Sequence, residues 1–128
     1  MKLLLDTCTF LWLTIKSGNL SQHAIDLFVN PENEVYLSAV SAWEMVVKYR
    51  MGKLSLPVPP NEFIPKERNR HYIAPLNLTE QDVMHLAKLP PTHKDPFDRM
   101  LICQAIEHAL TILTPDPLIT QYPIRTIW

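Results

Sequence analysis

Short uninterrupted apolar runs alternate along this chain with longer segments in which apolar positions recur every three or four residues. The first rhythm marks buried strands, the second helices with one face turned to a core. Lys2 to Leu5 opens as a strand that stops at Asp6, and Thr9 to Lys16 reads as a helix. Ser21 is placed to cap a helix running through Phe28, because its hydroxyl can accept an orphan backbone N–H, and the turn Asn30-Pro31-Glu32-Asn33 ends it. Val35 to Ser38 is β-rich, and Ala39 to Met51 follows as a helix closed by Gly52.

Leu54 to Pro60 holds three of the 12 prolines and must be an extended connection. Asn61 to Arg70 stays open between helix and loop, since Pro65 would break or kink a helix there. Tyr72 to Leu76 reads as a strand, and Thr79 to Lys88 as a helix whose capping box pairs Thr79 with Asp82. Phe97 to Ala109 is the clearest helix, with an apolar stripe of Leu101, Ile102, Ala105, Ile106 and Ala109. Thr111 to Thr114 and Ile124 to Trp128 are the last strand candidates. This alternation predicts an α/β fold, a mostly parallel sheet covered by helices on both faces. A chain of 128 residues without repeats or linkers is expected to form one domain over 1–128.

Lone carboxylates stand where strand-like runs give way to helix-like ones: Asp6, Glu44 and Asp116, with Asp95 and Asp98 at the mouth of the longest helix. In a parallel sheet the C-terminal strand ends share one edge, where ligands bind, so these scattered acids become neighbours. Each has a plain alternative as helix-start chemistry. Asp95-Pro96 and Asp116-Pro117 have the form of a cap followed by proline, and Ser41 with Glu44 fits a capping box. Asp6 resists that reading, because a carboxylate closing a buried strand is costly to desolvate without compensation. A divalent cation would supply it, and an all-oxygen ligand set selects Mg²⁺ or Mn²⁺ over Zn²⁺. Two such ions can activate water against a phosphodiester, which makes hydrolysis of a nucleic-acid backbone the leading chemistry.

Composition narrows little further. With 47% hydrophobic and 20% charged residues the chain is an ordinary globular protein, and a net charge of -1 leaves no footprint of wholesale nucleic-acid binding. If the site acids are neutralised by metal, the 12 lysines and arginines outnumber the acids left from 13. Cys8 and Cys103 lack zinc-site spacing and are read as buried, reduced thiols of a cytoplasmic protein. Asp6 interrupts the only signal-like run, and no segment is long and apolar enough to span a bilayer.

Asp6-Thr7, Ser38 to Glu44, His93 to Arg99 and Thr114-Pro115-Asp116 together resemble the PIN-domain ribonucleases, and within them the VapC toxins of type II toxin–antitoxin systems. The resemblance extends through Met51-Gly52-Lys53-Leu54 and Tyr122 to Trp128. It implies a PIN-like three-layer sandwich in which Asp6, Glu44, Asp98 and Asp116 hold Mg²⁺ and carry catalysis. Asp95 supports them, and Thr7 and Thr114 orient ligands or water. Cys8 stands where histidine often follows the Asp-Thr pair. The resemblance further implies cleavage of RNA to a 5′-phosphate and a 3′-hydroxyl, inhibition of translation, a homodimer and a VapB-type antitoxin.

Arg99, beside the metal motif, is the favoured RNA contact, ahead of the clusters Lys48, Arg50, Lys53 and Lys66, Arg68, Arg70. His93 is either a substrate-side group or a solvated loop residue, and the other histidines are read as surface or structural. Trp12 and Trp43 lie in apolar helical runs and are read as core. A haloacid-dehalogenase-type phosphatase would want a second carboxylate at Cys8, and a nucleotide cradle would want more than Gly18 and Gly52. The remaining competitor is a non-catalytic protein- or RNA-binding module whose acids are helix caps.

Overall fold

Three consecutive leucines are all buried only where a strand is covered on both faces. Leu3, Leu4 and Leu5 are fully shielded from solvent in the computed structural model, which describes residues 1–15 and 17–128. Their strand, β1 (Lys2–Leu5), is the centre of a five-stranded, all-parallel sheet. With β2 (Glu34–Ser38), β3 (Ala74–Leu76), β4 (Thr111–Leu113) and β5 (Thr126–Ile127), the spatial order is β3-β2-β1-β4-β5. Leu3 lies opposite Val35 on one side and Thr111 on the other. The proline in the sheet, Pro75, falls in edge strand β3, where a missing N–H is tolerated.

Among the described residues seven α-helices dress the sheet: α1 (Thr7–Thr14), α2 (Gln22–Val29), α3 (Ala39–Arg50), α4 (Pro60–Arg70), α5 (Glu80–Met84), α6 (Pro96–His108) and α7 (Pro117–Thr120). Strand alternation splits the core in two. Leu3 and Leu5 pack with Phe10 of α1, Ala24 of α2, Met45 of α3 and Phe63 of α4. Leu4 faces the opposite layer of Val40, Leu101, Ile102, Ala105 and Ile119. Each fully buried leucine contributes about 1.5–3 kcal/mol, so both layers are needed to hold β1 in place. The predicted α/β architecture, with a parallel sheet between helical layers, is the one observed.

Several expectations are corrected. The helix predicted over 9–16 begins at Thr7, because Asp6 accepts from Thr9 N at 2.7 Å and caps it; its predicted last residue, Lys16, lies outside the described residues. Pro65 does not interrupt α4. It lies on the exposed face, as does Asn61, whose carbonyl is four residues back and has no Pro65 N–H to accept from, while Phe63 and Ile64 anchor the buried face. The segment after Thr79 is helical only to Met84 and tightens into a 3₁₀ turn over His85–Lys88, although the Thr79–Asp82 capping box is present. Ile106 is 41% exposed, and Ala109 turns left-handed at φ 51° to end α6, so the buried stripe stops at Ala105. Among the described residues no helix is long and apolar enough to cross a membrane.

Candidate metal centre

The parallel register brings the acids to one edge. Leu5 pairs with Leu113, so Asp6 leaves β1 beside Thr114 leaving β4, and β2 on the other side of β1 leads into α3 and Glu44. Asp6 and Glu44 are both buried, at 4% exposure, and Asp98 is half-buried.

Asp6 is held from two directions. Thr9 N donates to its Oδ1, and the Thr114 hydroxyl makes a short hydrogen bond to its Oδ2. Thr114 Oγ1 also accepts from Asp116 N at 3.1 Å, which ties the β4 end to the start of α7. Burial pushes the Asp6 carboxyl above its ordinary range, and the charge of Asp116 adds to this, against the opposing bonds from Thr114 and Thr9. Asp116 caps α7 through Leu118 N at 2.9 Å.

Glu44 lies in the middle of α3, which is capped by Ser38 and not, as the spacing suggested, by Ser41. Ser38 Oγ accepts from Val40 N at 3.0 Å and donates to Oε1 of fully buried Gln104 at 2.5 Å, fixing α3 against α6. Ser41 is instead buried beside Thr7, 3.0 Å from its hydroxyl, and Thr7 donates to Glu44 Oε1 at 2.7 Å. The Lys48 ammonium, one turn on, pairs with Glu44 Oε2, and that bond raises the Lys48 pKa.

Asp95 caps α6, accepting from Phe97 N at 2.8 Å and Asp98 N at 3.1 Å. Asp98 then meets His93 Nε2 at 2.8 Å. His93 is a buried partner of Asp98, so its reading as a solvated loop residue does not hold. Burial pushes Asp98 to about 6, with the charges of Asp95 and Glu44 adding and the His93 hydrogen bond opposing. Arg99 Nη1 donates to the Pro90 and His93 carbonyls at 2.9 and 3.2 Å and to the Tyr122 hydroxyl at 3.3 Å. It clamps the loop that carries His93.

Cys8 is exposed, against expectation, and Cys103 is buried; neither is in a disulfide. The Cys8 thiol is pushed up to about 11 by partial burial and by the charges of Asp6, Glu44 and Asp98, despite Lys48. One thiol thus feels acids from three chain segments. Trp43, expected in the core, is 54% exposed. Trp12 is half-buried and edges onto Trp128, with centroids 5.9 Å apart.

The donor set is oxygen-only and partly desolvated, which fits a hard divalent ion. As they stand, no three His, Cys, Asp or Glu side chains among the described residues converge closely enough to hold one. Lys48 engages Oε2 of Glu44 and His93 engages Oδ2 of Asp98, each holding one oxygen of its carboxylate. A concavity of about 720 Å³ between Phe28, Val35, Arg70 and Tyr72 includes none of these acids.

The family model described as PIN domain matches residues 3–124. The chain belongs to the PIN domain family. This PIN domain is 38% identical over 53 residues to Ribonuclease VapC16 of Mycobacterium tuberculosis, a match covering 41% of this chain and 38% of that protein. The match therefore spans well under half of the curated relative's length. Its fold is shared by VapBC2 from Rickettsia felis, solved bound to a DNA fragment from its promoter, with TM-score 0.75 and 14% identity over 100% of this chain and 99% of the other. VapBC-1 from nontypeable Haemophilus influenzae gives TM-score 0.70 and 17% identity over 99% and 97%. The signals that sequence reasoning missed are Gln104 and the Tyr122 hydroxyl, polar groups whose role depends on what packs against them.

Proposed function

We propose that this PIN domain is a Mg²⁺- or Mn²⁺-dependent endoribonuclease and the toxin of a VapBC-type pair. It acts in the cytoplasm, as a homodimer, inhibits translation by cutting RNA to 5′-phosphate and 3′-hydroxyl ends, and is neutralised by a VapB-type antitoxin. The observation that carries the reading is Glu44: a buried carboxylate in the middle of a helix, where no cap explains it, on the edge that also holds Asp6. The likeness to a protein named as a VapC ribonuclease supports the activity, and the fold shared with VapBC proteins supports the partner.

In this reading Asp6, Glu44, Asp98 and Asp116 hold the ion and Asp95 supports Asp98 through the α6 cap. The ion supplies a water of lowered pKa and stabilises charge at the phosphorus. Thr114 and Thr7 aim the carboxylates of Asp6 and Glu44 through their hydroxyls. Lys48, paired with Glu44 and partly exposed, offers a phosphate a counter-charge beside the acids, and Arg99 has a smaller share because Nη1 is committed to the loop. A binding module is the second reading, favoured by the caps that Asp6, Asp95 and Asp116 each make.

The test is cleavage of a mixed RNA pool with Mg²⁺, Mn²⁺ or EDTA, beside the Asp98→Asn variant. Metal-dependent cutting absent from a folded Asp98→Asn protein is expected, since the amide keeps the shape and removes the charge. No cutting by the folded wild-type protein in any metal would return the acids to their capping roles.

A further inference from the structure

Trp43 and Phe97 precede Glu44 and Asp98 in the chain, and their rings meet where α3 touches α6, with centroids 4.7 Å apart and planes at 75°. A near-perpendicular contact of this kind occupies at most one face of the indole, and more than half of Trp43 remains in solvent. The Asp95 cap holds the backbone of both Phe97 and Asp98, so the ring-bearing residue and the acid leave the same capped turn.

We propose that Trp43, backed by Phe97, is the stacking surface for one unpaired base of the RNA, next to the bond that is cut. This rests on the nuclease reading above. Indole faces take any base, and each such stack contributes substantially to single-strand binding. Arg50, seven residues on, shares the Trp43 face of α3, Lys48 lies one turn beyond Glu44, and exposed Lys94 stands in the loop that leads to Phe97. They suit a phosphate backbone running past the rings. A protein partner suits the surface less well. On α3 only Trp43 and Val46 are exposed large apolar side chains, far short of the roughly 800 Å² that a stable interface buries on each partner.

The test is equilibrium binding of a fluorescent single-stranded RNA in Ca²⁺, with one abasic position moved along the strand, to wild-type, Trp43→Phe and Trp43→Ala proteins. Wild type should lose about tenfold in affinity when one particular base is removed, the size of a single stack. Trp43→Ala should lose about as much on intact RNA and be indifferent to the abasic site, whereas Trp43→Phe should keep most of the sensitivity. Circular dichroism establishes that the variants are folded. A purely structural role for Trp43 would lower affinity for intact and abasic RNA alike, and that result overturns the platform, leaving the rings to a protein contact. Abasic sensitivity undiminished in Trp43→Ala overturns it too. Failure of wild type to bind any RNA would instead overturn the nuclease reading on which the platform depends.

Discussion

Asp98 shows how much of a residue's chemistry its neighbours decide. Its carboxyl, normally near 3.8, is raised to about 6 chiefly by burial. Between those values the folded protein holds a proton that the unfolded chain releases, so this group's contribution to stability falls as pH rises from about 4 to about 6. A metal ion held by Asp98, as proposed, would compete with the same proton, and its affinity should move the opposite way. Calorimetric titration with Mg²⁺ is expected to give roughly tenfold weaker binding at pH 5 than at pH 7; a flat profile would remove Asp98 from the ligand set. The acids at the strand ends were legible in the sequence because charge at those junctions is chemically conspicuous. Trp43, Cys8 and His93 were not. For Trp43 and Cys8 exposure depends on which helix face meets a neighbour, and α3 turns Met45 inward while Trp43 faces out; His93 is buried by the fold of its loop onto Asp98 and Tyr122.

At the scale of elements, caps settle where the site residues sit. Ser38 and Ser41 both fit the start of α3 by spacing, and only the end of β2 decides between them. Ser38→Ala removes the cap and orphans Gln104 Oε1 in the interior. The expected loss is about 1 kcal/mol for the cap and a further 1–3 kcal/mol or so for the buried acceptor. Denaturant unfolding would measure it, and a change under about 0.5 kcal/mol, the range of an ordinary surface substitution, would contradict that role. Most elements were readable from periodicity and turn residues. Pro65 left its segment open because a proline's cost depends on orientation: here it faces solvent, and the buried Phe63 and Ile64 beside it hold the helix.

Across the whole molecule, the last segment of the chain braces the loop that leads into the site. The Tyr122 hydroxyl accepts from His93 N at 2.9 Å and donates to the Pro90 carbonyl at 2.8 Å, linking the stretch after α7 to the loop before α6. Tyr122→Phe leaves the His93 amide without its partner and is expected to cost about 1–3 kcal/mol. Hydrogen exchange at that amide should quicken while β1 hardly changes; equal protection in both proteins would contradict the brace. Sheet order was not legible from the strand pattern, since periodicity marks strands without saying which lie side by side. β1 pairs with β4 across a separation of more than a hundred residues, Leu5 opposite Leu113. That pairing sets a clock on synthesis. A ribosome must release the chain through Thr114 before Asp6 has its hydroxyl partner, so a nascent copy that stops short of β4 carries Asp6 on a strand with one neighbour missing and the edge that gathers the acids not yet built.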